Sequence, residues 1–138
     1  LDLVRDLLER MEAGRVDYTL FFRRLCDAAA GRGDEAVAAL FAEPGRFHGW
    51  AQEWRRRLDE EGGQPEERAR RMRAANPLFI PRNHRIEEMI AAALGGDLAP
   101  FERLRRVLAR PYDDQPEAAD LAQPPGDEQW GYRTFCGT

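Results

Sequence analysis

Apolar residues recur at three- and four-residue steps along most of the chain, which is the spacing of amphipathic helices. Glycine or proline repeatedly interrupts this pattern, and both residues mark helix ends. No segment shows the alternation of apolar and polar residues that is typical of strands. The pattern therefore predicts an all-α fold, a compact bundle of about six or seven helices.

The fourth of these helical segments has the clearest pattern. Phe47, Trp50, Ala51, Trp54 and Leu58 fall on one face, and charged residues take the other. Two tryptophans on one face indicate a large buried contact. We expect the sixth and seventh helices to bury their apolar faces in the same way. The residues concerned are Ile86, Met89, Ile90, Leu94, Leu98, Phe101, Leu104, Val107 and Leu108.

Four residues are placed to begin helices. Asp17, Asp34 and Asp97 each precede an apolar-periodic segment, where a carboxylate can accept hydrogen bonds from the first backbone N–H groups. Pro65 suits the first position of the fifth helix, because that position needs no N–H donor. We therefore predict three aspartate caps and one proline start.

The composition changes after Arg110. Residues 111–138 contain four prolines, several acidic residues and isolated aromatics, without helical periodicity. We therefore predict a helical domain over residues 1–110 and an irregular proline-rich tail over residues 111–138, with Cys136 near its end.

Basic charge in this chain comes from arginine alone. All 21 Lys and Arg positions are Arg, and there is no Ser among the 138 residues. A phosphate-binding P-loop lysine, a lysine Schiff base and a serine nucleophile are therefore excluded within this sequence. The carboxylates are scattered over helix faces without a convincing pair, so we predict no catalytic or cofactor-binding residue here.

The arginine clusters favour salt-bridged helix faces over nucleic-acid contact. The net charge is −4, and in four places a Glu stands four residues before an Arg, the favourable order. These pairs are Glu53–Arg57, Glu66–Arg70, Glu67–Arg71 and Glu102–Arg106. The longest apolar run, 36–42, is far too short to span a membrane. We predict no nucleic-acid or membrane partner, and a cytoplasmic protein.

The histidines and cysteines do not form a recognisable metal motif. His48 and His84 lie far apart and outside any metal-site spacing, so we predict no metal ligand. Cys26 lies on the apolar face of the second helix, where a thiol behaves as a small buried hydrophobe. Cys136 lies in the tail, where both an incidental cysteine and a redox-active thiol remain open.

Three segments of the chain carry a family resemblance: 76–84 (Asn-Pro-Leu-Phe-Ile-Pro-Arg-Asn-His), 110–116 (Arg-Pro-Tyr-Asp-Asp-Gln-Pro) and 134–138 (Thr-Phe-Cys-Gly-Thr). In this order they resemble the C-terminal region of the selenoprotein O family, and the resemblance covers essentially the whole chain. The sequence departs from the common family form at Pro81, His84 and Gly137-Thr138, which is typical of a branch within a family.

The resemblance implies a protein adenylyltransferase with a pseudokinase fold, which transfers AMP from ATP to hydroxyl side chains of protein substrates with Mg²⁺ or Mn²⁺. Leu1 already lies in a helical pattern, so we expect an upstream segment. The resemblance implies that this segment contains the kinase-like domain, a partner in the same polypeptide upstream of residue 1. The family position matched by Cys136 implies redox control through an upstream cysteine. Arg82, Asn83 and Tyr112 are our candidates for an interdomain contact.

An alternative interpretation needs no enzyme. A free-standing helical protein-interaction module without catalytic activity would also carry two tryptophans on one helix and arginine-rich faces. The two interpretations differ in one observable feature: only the first requires a kinase-like region with a glycine-rich loop and a lysine in the same polypeptide.

Overall fold

The structure, a computed structural model, describes residues 2–126. Across these residues the chain forms seven α-helices and one 3₁₀ helix and contains no strand, which confirms the predicted all-α class. The α-helices are α1 (Asp2–Ala13), α2 (Tyr18–Ala28), α3 (Asp34–Ala38), α4 (Gly45–Glu61), α5 (Pro65–Ala75), α6 (Asn83–Leu94) and α7 (Ala99–Leu108), and the 3₁₀ helix spans Pro116–Ala122. None of the helices described is both long and apolar enough to cross a membrane.

Two of the four predicted helix starts are confirmed. The Asp17 carboxylate accepts a hydrogen bond from the backbone N–H of Leu20 at 2.8 Å, as an N-cap does. Pro65 is the first residue of α5. Both helices therefore begin where local chemistry alone would start them.

The aspartates of α3 and α7 behave differently from the prediction. Asp34 is the first residue of α3 and makes no cap; its carboxylate binds the guanidinium of Arg55 instead. Asp97 lies one residue before the N-cap position of α7, and its carboxylate accepts from Ala99 N at 2.9 Å. A tertiary ion pair thus displaces the local cap at α3, while at α7 the carboxylate forms a short turn just ahead of the helix.

The chain divides into two compact units. The first ends at Pro77 and the second begins at Leu78. Asn76, with φ −117° and ψ 104°, has left the helical region, as the residue before a proline does. The division falls inside the range 1–110 that the sequence led us to treat as one helical domain.

Aromatic side chains form the core of the first unit. Phe21 and Phe47 are fully buried and Trp50 nearly so, with the ring of Phe21 edge-on to the other two at 6.3 and 6.2 Å. Trp54 stacks on Trp50 at 5.4 Å, and the Trp50 indole N–H donates to Leu3 O at 3.0 Å. Burying each such ring contributes about 1.5–3 kcal/mol or more. The large buried contact predicted for α4 is confirmed.

The core of the second unit is smaller and mostly aliphatic. Its buried members are Phe79, Leu104, Val107, Ala118, Leu121 and Ala122. Three of these lie in the 3₁₀ helix, so part of the predicted irregular tail is folded into this unit. The sequence did not reveal this short helix, because a few apolar residues between prolines carry no clear period.

The predicted inner faces of α6 and α7 are only partly correct. Leu104 and Val107 are buried as expected, and Ile86 packs at the edge of the second core. Four residues predicted to face the core are exposed instead: Ile90, Leu94, Leu98 and Phe101. The small second core covers only part of these two apolar faces, and α6 contains no fully buried residue.

Candidate functional site

One carbonyl group anchors the non-helical residues at the start of the second unit. The backbone N–H groups of Leu78 and Phe79 donate to Pro111 O at 2.8 and 3.1 Å. Phe79 is also fully buried. The two segments that carry the family resemblance, 76–84 and 110–116, are therefore joined by backbone hydrogen bonds.

The three predicted contact residues have different environments. Arg82 is the N-cap residue of α6 and only 6% exposed. Asn83, the next residue, is exposed, and Tyr112 is 46% exposed. Asn83 and Tyr112 are thus accessible to a partner, whereas Arg82 is buried. An interdomain role for the three residues stays a prediction.

Gln115 is a structural residue that the sequence analysis missed. It is buried, and its amide Nε2 donates to Val107 O at 3.1 Å and to Arg110 O at 2.9 Å. These carbonyls lie at the end of α7 and also accept the backbone N–H groups of Arg110 and Asp113, so Gln115 adds a second donor to each. Gln115 therefore holds the turn that contains Tyr112 against the helix.

In the first unit, arginine side chains bind carbonyl groups at helix ends. Arg23 is buried and donates to Asn76 O at 3.2 Å and Arg73 O at 3.4 Å, at the end of α5. Arg68 donates to two carbonyls at the end of α4, at 3.1 and 2.6 Å. A cation is favoured there because helix C-termini carry partial negative charge. Several arginines of this lysine-free chain are therefore structural.

One of the four predicted i,i+4 ion pairs is confirmed. Arg57 Nε lies 3.3 Å from Glu53 Oε1. The prediction is wrong for the other three glutamates: Glu66 binds Arg32, Glu67 binds Arg70 and Glu102 binds Arg105. Hydrogen bonds from Arg56 and then Arg57 lower the pKa of Glu53 to about 2. Carboxylates therefore neutralise much of the arginine charge, but mainly at i,i+3 spacing or across helices.

Cys26 is buried in the first unit, as predicted. Its thiol donates to Phe22 O at 3.2 Å. Burial raises the pKa of this thiol, because the charged thiolate would lose its hydration. A buried thiol with a raised pKa is a poor nucleophile. Cys136 lies outside the described residues, so its redox role stays a prediction.

The histidines do not converge on a common site. His48 is exposed on α4, with its Nε2 3.9 Å from Glu35 Oε1. His84 lies in the first turn of α6, where burial and then the charge of Arg85 lower its pKa. Between residues 2 and 126, no group of three His, Cys, Asp or Glu side chains could hold a metal ion.

The second unit has a cleft of about 400 Å³ between α6, α7 and the 3₁₀ helix. Arg85 and Arg103 line it. Arg103 binds both carboxylate oxygens of Asp120 at 2.6 and 2.8 Å, and Arg85 binds Glu88 at 2.8 Å. Because each guanidinium already has a carboxylate partner, the cleft is poorly suited to a phosphate group.

Comparison with known families shows which family the chain belongs to. The sequence model of the family described as protein adenylyltransferase SelO matches residues 1–109. The chain belongs to this family. The match runs through all seven α-helices, so the resemblance seen in the sequence is confirmed.

SelO-family relatives named protein nucleotidyltransferase YdiU align with nearly all of the chain. The chain is 54% identical to a relative from Methylorubrum extorquens, covering 99% of this chain and 29% of the relative. It is 53% identical to one from a Bradyrhizobium species, covering 99% and 28%. For Nitrobacter hamburgensis the identity is 50%, covering 100% and 28%. The chain therefore spans less than a third of the length of these curated relatives.

Proposed function

We propose that this SelO-family chain is the C-terminal helical part of a protein adenylyltransferase. The whole protein would transfer AMP from ATP to hydroxyl side chains of protein substrates in the cytoplasm. The observation that carries the proposal is the family match over residues 1–109, together with relatives named protein nucleotidyltransferases. Because the chain spans only 28–29% of those relatives, the activity would belong to a longer polypeptide.

This part of the protein would stabilise a kinase-like domain rather than carry out the chemistry. Nucleotide-binding kinase-like domains use a lysine on the phosphates and carboxylates on the metal ions. The chain has no lysine at all. The carboxylates of Glu53, Glu66, Glu67 and Asp120 each bind an arginine within the described structure. ATP and its Mg²⁺ or Mn²⁺ would therefore bind to the kinase-like domain.

Cys136 would control this activity through a disulfide. Its thiol and a second thiol in the kinase-like domain would form one S–S bond, with two protons and two electrons passing to a disulfide oxidant such as oxidised glutathione. Reduction would return both thiols. The tail that contains Cys136 follows directly after the 3₁₀ helix, so a bond at this position would tether the second unit to the kinase-like domain.

The test is transfer of labelled AMP from ATP to protein by the full-length enzyme with Mg²⁺ or Mn²⁺, under reducing and oxidising conditions. We expect labelling under reducing conditions, lost on oxidation, and retained on oxidation in the Cys136→Ala protein. Cys26→Ala is the matched control and should leave the redox response unchanged, because Cys26 is buried. No labelling with either metal under either condition would contradict the enzymatic proposal and favour the helical interaction module.

A further inference from the structure

Two neighbouring helices of the second unit expose large apolar side chains. The exposed fractions are 43% for Ile90, 85% for Leu94, 60% for Leu98 and 42% for Phe101. We call these four residues the hairpin face. Single exposed apolar residues are ordinary, but a contiguous group is typical of an interaction surface.

The four residues lie on either side of the turn between α6 and α7. The two helices pack against each other and are joined by the short 95–98 connection, which makes them antiparallel neighbours. Ile90 and Leu94 are one turn apart on α6 and share a face. Ile86, one turn before Ile90, already packs on the second core. The hairpin face therefore continues a buried apolar surface outward.

The rim of the hairpin face is acidic. From Asn83 to Arg105 the sequence has the carboxylates Glu87, Glu88, Asp97 and Glu102 and the arginines Arg85, Arg103 and Arg105. Arg103 pairs with Asp120 of the 3₁₀ helix. Arg85 pairs with Glu88, and Glu102 pairs with Arg105. Glu87 and Asp97 have no ion-pair partner among residues 2–126. Glu87 lies three residues before Ile90 and seven before Leu94, on the same face of α6.

The charge and the size of the relatives indicate what covers this face. Pairing it with a second copy would bring like charges together at the rim, which is unfavourable. The relatives are more than three times as long as this chain, since it covers 28–29% of them. A longer polypeptide offers a covering surface at high effective concentration.

We propose that the hairpin face docks against the remaining polypeptide of the longer protein, on a surface with an apolar centre and basic residues around it. The proposal rests on the proposed function, because it takes this chain to be part of a larger adenylyltransferase. Leu94, the most exposed of the four, is covered in that protein, and Glu87 and Asp97 face arginine or lysine side chains of the covering surface.

The test measures alkylation of an introduced thiol in the full-length protein. Leu94→Cys is the probe, and Ala119→Cys, exposed on the 3₁₀ helix of the same unit, is the matched control. The maleimide reaction is followed at each position by peptide mass spectrometry and divided by the rate in urea. We expect alkylation in the native protein to be roughly tenfold or more slower at position 94 than at position 119. The covering surface must first separate from the hairpin face before the thiol can react. Equal rates would overturn the proposal.

Two further readouts test the identity of the covering surface. Protection at position 94 should not depend on protein concentration; protection that appears only at high concentration would mean self-association and would overturn the proposal. Glu87→Arg should speed alkylation at position 94 by reversing the rim charge. Glu61→Arg, the same charge change at the end of α4, should not. An unchanged rate in Glu87→Arg would rule out a basic covering surface.

AMP transfer by the Leu94→Cys and Ala119→Cys proteins separates this proposal from the proposed function. If the thiol at position 94 is protected but the protein transfers no AMP, the docking proposal stands and the enzymatic assignment fails. If the thiol reacts freely but the enzyme transfers AMP, the docking proposal fails and the enzymatic assignment stands.

Discussion

The first unit, up to Pro77, and the second, from Leu78, differ in the size and composition of their hydrophobic cores. The first packs Phe21, Phe47 and Trp50 into one aromatic core. The second builds a core in which Phe79 is the only buried aromatic among the described residues, and it leaves the hairpin face uncovered. The first unit also exposes Val4, Leu8 and Tyr18, so the two units differ in the size and aromatic content of their cores.

This difference shows what an apolar helix face does and does not predict. A face with several aromatic residues offers enough area to fix its neighbours around it, so it is buried within the chain. The faces of α6 and α7 lack a partner of that kind among the described residues.

The largest expected effect is in the aromatic core. Phe47→Ala should lower the free energy of unfolding by about 3–5 kcal/mol, because it leaves a cavity among rings that cannot collapse fully. Phe101→Ala, on the hairpin face, is the matched control and should cost no more than about 1 kcal/mol in this chain. Urea unfolding followed by tryptophan fluorescence and circular dichroism measures both. Similar losses would mean that the two units do not differ as described.

The second effect concerns the charged contacts of the first unit. Arg23→Met keeps the apolar stem but removes the guanidinium that binds the carbonyls of Arg73 and Asn76, and should cost about 1.5–3 kcal/mol. Arg24→Met, which removes one less-buried bond to Ala36 O, should cost about 0.5–1.5 kcal/mol. The two variants are compared by the urea midpoint. A larger loss in Arg24→Met would show that burial does not set the strength of these contacts.

The features that depend on nearby residues could be predicted from the sequence. The all-α class, the Asp17 cap, the Pro65 start and the end of α5 at Asn76-Pro77 are each set within a few residues. The buried environment of Cys26 also follows from its place in one helix face. Local periodicity and capping chemistry are sufficient for such features.

The features that depend on distant residues could not be predicted from the sequence. Arg23 donates to Asn76 O, 53 residues later in the sequence. Asp34 forms an ion pair with Arg55 instead of capping α3. The spacing of apolar residues along the sequence does not indicate either contact. The exposure of Leu94 was missed for a related reason, because the pattern marks an apolar face but not whether the chain contains its partner. The only sequence signal was indirect: a chain with arginine and no lysine favours multidentate contacts to carbonyls and carboxylates.

A third and smaller effect lies in the second unit. Gln115→Ala should cost about 1–2 kcal/mol, since it leaves the carbonyls of Val107 and Arg110 without this donor. Gln123→Ala, which loses one long bond to Ala119 O on the surface, should change stability by about 0.5 kcal/mol or less. Hydrogen exchange of the α7 amides locates the effect. An unchanged exchange rate in Gln115→Ala would show that the turn does not depend on this side chain.

The smallest effect is a pH dependence of the 3₁₀ helix. The hydrogen bond from Arg103 lowers the pKa of Asp120 below its ordinary value. The unfolded chain, in which the carboxylate has its ordinary pKa of about 3.9, therefore takes up a proton at higher pH than the folded one. The ion pair stabilises the folded state above that pKa, and the stabilisation is lost as pH falls through the lower folded value. Because both side chains are partly exposed, it should be below about 1 kcal/mol at neutral pH.

Comparing the wild-type chain with Asp120→Asn from pH 7 down to pH 2 isolates this ion pair. The difference between their urea midpoints should be constant above about pH 5 and shrink as the pH falls below about 4, where the unfolded carboxylate binds its proton. Asp113→Asn, with a longer 3.7 Å contact to Arg110, is the control and should show a smaller difference. A difference between wild type and Asp120→Asn that grows in acid would mean that Asp120 is stabilised in its protonated form, so that Arg103 does not hold the 3₁₀ helix through its charge.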